Sequence, residues 1–143
     1  MTSVTKLTVR YAETDQMGIV YHTNYGIWYE IARTNYIKDI GYSYSDMEKS
    51  GIFLPVVNLN INYISPAHYD DNIIIKTTVS KISSAKIEFS YSTYIEGNEK
   101  AINTGISVHA FVDKDMNLMN FKKNFSEIYT AIKNSIISDY SKT

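Results

Sequence analysis

The chain has 143 residues, of which 44% are hydrophobic and 20% charged, values that are ordinary for a globular domain and exclude a disordered, collagen-like or coiled-coil chain. Fourteen basic residues against fifteen acidic ones leave a net charge of −1, so the broad basic surface of a nucleic-acid-binding domain is missing. Without a cysteine, the chain has no disulfide, no thiolate nucleophile and no cysteine-ligated zinc or iron–sulfur site.

The first part of the chain predicts a strand, a turn and a long helix. Its opening segment, MTSVTKLTVR, lacks the apolar core of a signal peptide, and no run of about 18 apolar residues occurs anywhere, so we expect a cytoplasmic protein without a membrane span. Residues 6–11 alternate between apolar and polar side chains, which predicts a half-buried strand, and a turn-like segment follows at 13–18. From Thr23 apolar residues recur every three or four positions, which predicts a helix that Gly41 ends.

Four alternating segments follow a short helical turn at residues 45–49 and predict antiparallel strands with one buried face each. Their apolar sides consist of Val57, Leu59, Ile61 and Tyr63; Ile73, Ile75, Thr77 and Val79; Ile87, Phe89, Tyr91, Thr93 and Ile95; and Ile102, Thr104, Ile106, Val108, Ala110 and Val112. Ser107 and His109 fall on the opposite, polar side of the fourth strand. Turn signals separate the strands, and Glu96-Gly97-Asn98 is a candidate for a tight hairpin.

The C-terminal part predicts a second amphipathic helix at residues 125–137, with Asn124 as its N-cap and Glu127 three residues further on. The polar tail from Ser138 is expected to fray. The order β-α-β-β-β-β-α gives one α+β domain over residues 1–143, in which the long helix packs into the concave face of an antiparallel sheet. The aromatic helix and the exposed sheet edges predict self-association.

Residues 10–25, RYAETDQMGIVYHTNY, carry most of the side chains that could do chemistry. The first strand gives way to the long helix here, and a helix N-terminus offers free N–H groups and a positive dipole to a developing oxyanion. Asp15 precedes that helix, His22 lies at its start, and Gly18 allows a tight turn between them. An acidic residue before a helix is also commonly a cap or turn former, so these residues alone leave a structural role open.

The same segment resembles the signature of a known enzyme family. The string DQMGIVYHTNY at residues 15–25, with Tyr29-Glu30 and Ala32-Arg33 behind it, is similar to the motif of the 4-hydroxybenzoyl-CoA thioesterase family of hotdog-fold acyl-CoA thioesterases. Leu54-Pro55-Val56-Val57, the strand at residues 58–64 and Tyr69-Asp70-Asp71 follow in matching order. The resemblance covers roughly residues 5–115.

The resemblance implies a hotdog fold, in which an antiparallel sheet wraps a long central helix. It also implies hydrolysis of an acyl-CoA or acyl-carrier thioester to free acid and CoA. Asp15 is then the catalytic carboxylate, acting either as nucleophile or as general base for a water, and the backbone N–H of His22 polarises the thioester carbonyl. No cofactor is implied, because coenzyme A is part of the substrate.

In that family the site lies at a dimer interface, so the resemblance further implies a homodimer, commonly paired into a homotetramer. Substrate-binding residues are expected in three places: Gly18, Tyr21 and Tyr25 beside the catalytic pair, Val57, Asn58 and Leu59 on the second strand near the partner's Asp15, and Ser83, Ser84 and Lys86 near the CoA phosphates. The expected partners are an acyl-CoA substrate or an acyl carrier protein as the alternative donor, with no nucleic acid and no membrane.

Other interpretations of the sequence were weighed against this one. His22, His68 and His109 are spaced too far apart for a helical metal-binding pair, so no metal site is expected. The run from Gly105 to His109 lacks the second glycine and the following helix of a serine nucleophile elbow. Two alternative functions stay open: a hotdog dehydratase or hydratase acting through His22, and a non-catalytic acyl-CoA-binding module.

Overall fold

The computed structural model describes residues 1–140, with side chains as far as Ile136. The elements in this part of the chain are β1 (Ser3–Thr8), a 3-10 turn (Tyr11–Glu13), α1 (Asn24–Asp39), α2 (Tyr44–Lys49), β2 (Val56–Tyr63), β3 (Asn72–Ile82), β4 (Lys86–Ile95), β5 (Asn103–Ala110), α3 (Phe121–Asn124) and α4 (Ser126–Tyr140). The predicted order of strands and long helices is confirmed. None of the described helices combines the length and the hydropathy that crossing a membrane requires.

One side of α1 packs against the inner face of a single antiparallel sheet. The strand order is β1-β3-β4-β5-β2, so β1 and β2 form its edges. The buried side chains are Tyr25, Trp28, Tyr29, Ala32, Tyr36 and Ile37 on the helix, and Ile73, Ile75, Thr77, Val79, Ile87, Phe89, Tyr91 and Thr93 on the two central strands. The rings of Tyr29 and Tyr91 stack at 4.1 Å across the two layers. The α+β hotdog arrangement is therefore confirmed.

Helix α1 ends where the sequence predicts. Gly41 has φ +94°, a left-handed conformation that glycine adopts without strain. Its N–H donates to the Lys38 carbonyl at 2.9 Å, and the N–H of Tyr42 donates to the Ile37 carbonyl at 3.1 Å. These two bonds form a Schellman motif, which closes the helix and satisfies its last carbonyls.

Strand β1 begins at Ser3, earlier than the alternation at residues 6–11 predicts. Ser3 and Thr5 occupy buried positions beneath α1 although they are polar. The Ser3 hydroxyl donates to Asp39 at 2.5 Å, and the Asn35 side-chain amide donates to Thr5 at 3.0 Å. Hydroxyl groups bonded to the helix thus fill the first buried positions of β1. For that reason the hydrophobic pattern predicts a start of the strand that is later than the observed one.

The covered side of β5 is its polar side, so the expectation that the polar side is uncovered is wrong. The fully buried residues there are Asn103, Ser107 and His109, whereas Ile106 on the other side is 38% exposed. The Tyr91 hydroxyl donates to Ser107 at 2.6 Å, and Ser107 donates to His109 Nε2 at 2.8 Å. His109 Nδ1–H in turn donates to the Leu54 carbonyl at 3.0 Å. These bonds make the burial of Ser107 and His109 tolerable, and they hide the strand's orientation from hydrophobic periodicity.

Strand β2 is an edge strand with nearly all of its residues exposed. Leu59 lies beside Gly26 of α1, and the Tyr63 hydroxyl donates to the His22 carbonyl, so these two residues lie on the α1 side of the strand. The prediction of a buried face is wrong for β2, because none of its residues is buried in its own chain. Val57 is 51% and Leu59 46% exposed. The apolar side of β2 is therefore only partly covered by its own chain.

The predicted C-terminal helix is preceded by a separate short helix, α3. Asn120 caps α3, since its side-chain oxygen accepts the Lys123 N–H at 3.0 Å. Asn124 is the last residue of α3, so its predicted role as a cap is wrong. Helix α4 continues to Tyr140, beyond the predicted end at residue 137, and the rest of the predicted frayed tail lies outside the described residues.

Candidate active site

A tight loop between β1 and α1 carries Asp15. Thr14 and Val20 form an isolated β-bridge at its base, and the Asp15 N–H donates to the Ile19 carbonyl at 2.9 Å. Gly18 has φ +80° and donates its N–H to the Asp15 carbonyl at 2.9 Å, which closes the loop. The main chain on both sides of Asp15 is thus held by hydrogen bonds.

The Asp15 carboxylate is half-buried and uses one oxygen to brace this loop. Its Oδ1 accepts the Met17 N–H at 2.9 Å. Among the described residues, none donates a hydrogen bond to Oδ2. The side chain lines an open crevice of about 340 Å³. One carboxylate oxygen is therefore available to a bound molecule.

The crevice is built from two distant parts of the chain. Its lining consists of Asp15, Met17, Ile19, Val20, His22 and Tyr25 on one wall and Tyr63, Ile64, Ser65 and Pro66 on the other. Three of the residues singled out from the sequence, Asp15, His22 and Tyr25, thus come together. The second wall was missed, because it follows β2 and the Ser65-Pro66 signal indicates a turn rather than a site.

The N-terminus of α1 borders the same crevice. Thr23, the N-cap residue, makes no side-chain capping hydrogen bond. Within the described part of the chain, the His22 N–H has no acceptor, while the His22 carbonyl accepts the Tyr63 hydroxyl at 2.9 Å. A free amide and the positive end of a helix dipole therefore share one cavity with Asp15, an arrangement that can polarise a bound carbonyl.

Aromatic rings form much of the crevice wall. Tyr25 contacts Trp28 and Tyr63 edge-on, with ring centroids 4.9 Å and 5.5 Å apart, and the His22 ring lies 6.4 Å from that of Tyr63. Burial raises the pKa of the Tyr25 and Tyr63 hydroxyls above the usual 10.0. Both hydroxyls therefore stay protonated at neutral pH, so they can donate hydrogen bonds but supply no base.

Several other sequence-predicted binding residues lie outside this lining. Gly18 shapes the Asp15 loop, and Tyr21 is 46% exposed beside it. Val57, Asn58 and Leu59 lie on the free edge strand β2. Their predicted contact with substrate depends on a second subunit and stays a prediction.

The predicted phosphate-binding residues lie at the β3–β4 turn. Ser83 and Lys86 line a separate cavity of about 400 Å³ that Lys81 also borders, whereas Ser84 is not part of its lining. The Ser83 hydroxyl accepts the N–H of Ala85 at 3.2 Å and that of Lys86 at 3.1 Å. The lining includes two lysines and one acidic residue, Glu88, and the role of the cavity in holding CoA stays a prediction.

Two other kinds of site find no support in the geometry. In the part of the chain with described side chains, no three His, Asp or Glu side chains gather as metal ligands. Ser107 and His109 are hydrogen-bonded, but both are fully buried beneath α1, and burial lowers the pKa of His109 to about 4. A substrate has no path to this pair, so its role is structural.

Comparison with known proteins gives consistent matches along the chain. The family model described as Thioesterase-like superfamily matches residues 9–130. A Bacillus subtilis (strain 168) protein named "Putative acyl-CoA thioesterase YneP" is 44% identical over 127 residues, which cover 88% of this chain and 91% of that protein. Among solved structures, DHNA-CoA thioesterase from Staphylococcus aureus is 34% identical with a TM-score of 0.93, covering 99% of this chain and 95% of that one. A Synechocystis structure, Slr0204, described as a 1,4-dihydroxy-2-naphthoyl-CoA thioesterase, is 18% identical and shares the fold with a TM-score of 0.82, covering 94% of this chain and 97% of that one.

Proposed function

The chain belongs to the thioesterase-like superfamily, and on that premise we propose that it hydrolyses acyl-CoA thioesters to a free acid and CoA in the crevice beside Asp15. One observation carries the placement of the reaction. Among the residues that the structure describes, neither one oxygen of the Asp15 carboxylate nor the backbone N–H of His22 has a hydrogen-bond partner, and both groups border the same cavity at the N-terminus of α1. Thioester hydrolysis needs one group of each kind.

The proposed reaction places the thioester carbonyl oxygen at the His22 N–H. As the tetrahedral intermediate forms, negative charge builds on that oxygen, and a preorganised amide donor in such a position contributes roughly 100- to 1,000-fold in kcat. The reaction adds water across the C–S bond: the acyl carbon gains oxygen, the bond to sulfur breaks, and the departing thiolate is a good leaving group that needs no strong acid.

Asp15 supplies the base or the nucleophile. In one route its free oxygen takes a proton from the attacking water, which then bonds to the acyl carbon. In the other route the same oxygen attacks the acyl carbon and forms an anhydride, which water opens in a second step. Both routes need the oxygen that the Asp15 loop leaves unbonded. In a single turnover in water labelled with ¹⁸O, an unlabelled acid product would demonstrate the anhydride route, because its new oxygen then comes from Asp15.

The proposed acyl group is aromatic. Its support is the ring-lined crevice formed by His22, Tyr25 and Tyr63, together with the 34% identical relative that is named a DHNA-CoA thioesterase. The substrate panel should therefore contain aromatic acyl-CoA thioesters, 1,4-dihydroxy-2-naphthoyl-CoA among them, beside straight-chain ones. Each acyl group should also be offered on an acyl carrier protein, because the sequence leaves the donor open.

The proposed assembly is a homodimer formed along β2, with a pair of dimers as the larger form. Strand β2 is a free edge with exposed Val57 and Leu59. Leu59 lies beside Gly26 of α1, and Ile27 and Ile31 of that helix are 52% and 43% exposed. Pairing two β2 edges removes both unpaired strands and covers this apolar surface. The cytoplasm is the proposed location, since CoA thioesters occur there.

The decisive experiment compares wild type with Asp15→Asn, with release of free thiol as the readout. We expect kcat to fall at least about 100-fold, because the carboxylate is lost while asparagine still accepts the Met17 N–H. Asp113→Asn is the matched control, since Asp113 also braces a loop by accepting the N–H two residues on, at 2.9 Å. Its kcat should equal that of wild type.

The same assays decide between the proposed function and its alternatives. A kcat of Asp15→Asn equal to that of wild type would refute the proposed role of Asp15. Hydration of an enoyl-CoA without thioester cleavage would point to the dehydratase or hydratase class. Tight CoA binding without turnover of any acyl group would instead identify a binding module.

A further inference from the structure

Glu13 is a buried carboxylate with both oxygens hydrogen-bonded. It is 6% exposed. Its Oε1 accepts the backbone N–H of Arg10 at 2.8 Å, and the Arg10 Nε lies 3.5 Å from the same oxygen. Its Oε2 accepts the indole N–H of Trp28 at 2.7 Å. A buried carboxylate persists only when its oxygens are satisfied in this way, so these partners hold Glu13 firmly.

The main chain of Glu13 is bonded to the start of α1. Its carbonyl accepts the Tyr21 N–H at 2.8 Å and the side-chain amide of Asn24 at 2.8 Å. Tyr21 directly precedes His22, and Asn24 is the first residue of the helix. Trp28, one turn further along α1, donates its indole N–H to the Glu13 side chain. Glu13 therefore connects its own loop to the helix at three points.

The two groups proposed for chemistry lie on these two connected segments. Asp15 is two residues after Glu13, and the His22 N–H adjoins the residue bonded to the Glu13 carbonyl. We propose that Glu13 is the positioning residue that fixes the Asp15 carboxylate relative to the His22 amide, with the Trp28 indole as its anchor; this inference rests on the proposed function. A misplacement of about 1 Å between reacting groups can lower a rate about 100-fold, so such a connection is needed.

The first variant tests the carboxylate. In Glu13→Gln, one oxygen and one NH2 group face two N–H donors, those of Arg10 and Trp28, so one donor meets another donor. We expect kcat to fall about 10- to 100-fold while KM stays within about threefold, because Glu13 touches no substrate. Steady-state kinetics on the preferred acyl-CoA, well below the unfolding midpoint, measure both constants.

The second variant tests the anchor. Trp28→Phe keeps an aromatic ring in the core but removes the indole N–H, and we expect kcat to fall about tenfold. In the double variant, Trp28→Phe removes the indole N–H that would face the NH2 group of Gln at position 13. The kcat of the double variant should therefore be about threefold higher than that of Glu13→Gln alone. Losses in kcat that add would contradict a direct connection between Glu13 and Trp28.

Tyr36→Phe is the matched control on the same helix. Its hydroxyl makes a buried hydrogen bond to Ser135 at 2.5 Å, near the far end of α1. Removing that hydroxyl should lower the unfolding midpoint and leave kcat unchanged. Folded Glu13→Gln and Trp28→Phe enzymes with wild-type kcat would overturn the inference, and Trp28→Phe alone decides the matter if Glu13→Gln does not fold.

Backbone hydrogen exchange separates this inference from the proposed function. In Glu13→Gln, amides at residues 14–24 should exchange at least about tenfold faster while those of β3 and β4 stay as in wild type. Unchanged exchange at 14–24 would contradict the positioning role even if wild type hydrolyses no acyl-CoA. A wild type inactive on the whole panel, with faster exchange in the variant, would refute only the hydrolase.

Discussion

The ring of Tyr29 rests directly on the backbone of Gly105. A Cβ at position 105 would lie 2.4 Å from that ring, closer than real atoms approach. The ring cannot easily shift away, because it stacks on Tyr91 at 4.1 Å and its hydroxyl donates to Asn103 at 2.8 Å. At this residue, glycine is required by the close contact of helix and sheet.

Gly105→Ala should therefore lower the free energy of unfolding by about 1–3 kcal/mol, the usual range for an overpacked core position. Urea unfolding followed by circular dichroism measures the change. Gly26→Ala is the control, since a Cβ there would lie 3.6 Å from Leu59 and alanine favours a helix by up to about 1 kcal/mol. Equal destabilisation by both substitutions would contradict the argument.

His109 gives the protein an acid-sensitive core. Burial lowers its pKa to about 4, from 6.5 for an ordinary histidine. Between these values the unfolded chain binds the proton and the folded one does not, so stability is complete above pH 6.5 and falls as the pH drops toward 4, by about 3 kcal/mol for this group. Urea unfolding at several pH values from about 7 to about 4.5 measures the slope.

One variant isolates the contribution of His109. His109→Gln should lose most of the fall in stability across this pH range, because no group at position 109 then takes up a proton. A His109→Gln slope parallel to that of wild type would assign the acid sensitivity to other groups.

At the scale of elements, the two edge strands differ in what they expose. Val4 on β1 and Val57 on β2 are each 51% exposed, although they lie on opposite edges of the sheet. On the β2 side, Leu59 lies beside Gly26 of α1, and Ile27 and Ile31 of that helix are exposed as well. An isolated apolar residue is ordinary on a protein surface, whereas a contiguous patch indicates an interface.

Val57→Lys should weaken the proposed dimer at least about 100-fold, because a charge would enter an apolar contact in both copies. Sedimentation velocity over a range of concentrations measures the dissociation constant. Val4→Lys has the same chemistry and equal exposure, and it should leave association unchanged. Dissociation caused by Val4→Lys and not by Val57→Lys would place the interface on the other edge.

Elements with apolar buried faces were predictable from the sequence, and elements with polar buried faces were not. Helix α1, β3 and β4 bury apolar side chains at regular spacing, so periodicity locates them. Strand β5 buries Ser107 and His109, and β1 buries Ser3 and Thr5. Hydrogen bonds to distant residues make that burial possible, and a single sequence does not reveal which residues will be near.

The residues of the candidate site are likewise predictable from the sequence only in part. Asp15, His22 and Tyr25 lie within one short segment, so the sequence motif identifies all three as candidates. Tyr63 reaches the crevice only because β2 pairs with β5 at the end of the sheet beside α1. The sequence pattern places Glu13 in a turn and does not indicate its bond to Trp28, because that bond depends on how the loop folds back over the helix.

At the scale of the whole molecule, the proposed dimer predicts a site to which both subunits contribute. Residues 57–59 lie on β2 outside the crevice of their own chain, and the expected role of this segment is to line the partner's site. Catalysis and association are then linked, because anything that separates the subunits also removes part of the substrate-binding surface.

Specific activity should therefore fall on dilution through the dissociation constant of the dimer. Activity per subunit, measured across several dilutions of wild type, should follow the dimer fraction from sedimentation, and Val57→Lys should lose activity at higher concentrations than Val4→Lys does. Activity that stays constant while the subunits separate would show that one chain forms a complete site.

Trp28 is the chain's single tryptophan, and it lies 1% exposed with its indole bonded to Glu13. Tryptophan fluorescence therefore has one source, placed where α1 meets the loop that carries Asp15. Loss of the Glu13 contact, or entry of water, would move the emission maximum without any attached dye. The protein thus contains its own optical reporter, which can follow substrate entry at that junction in a stopped-flow mixing experiment.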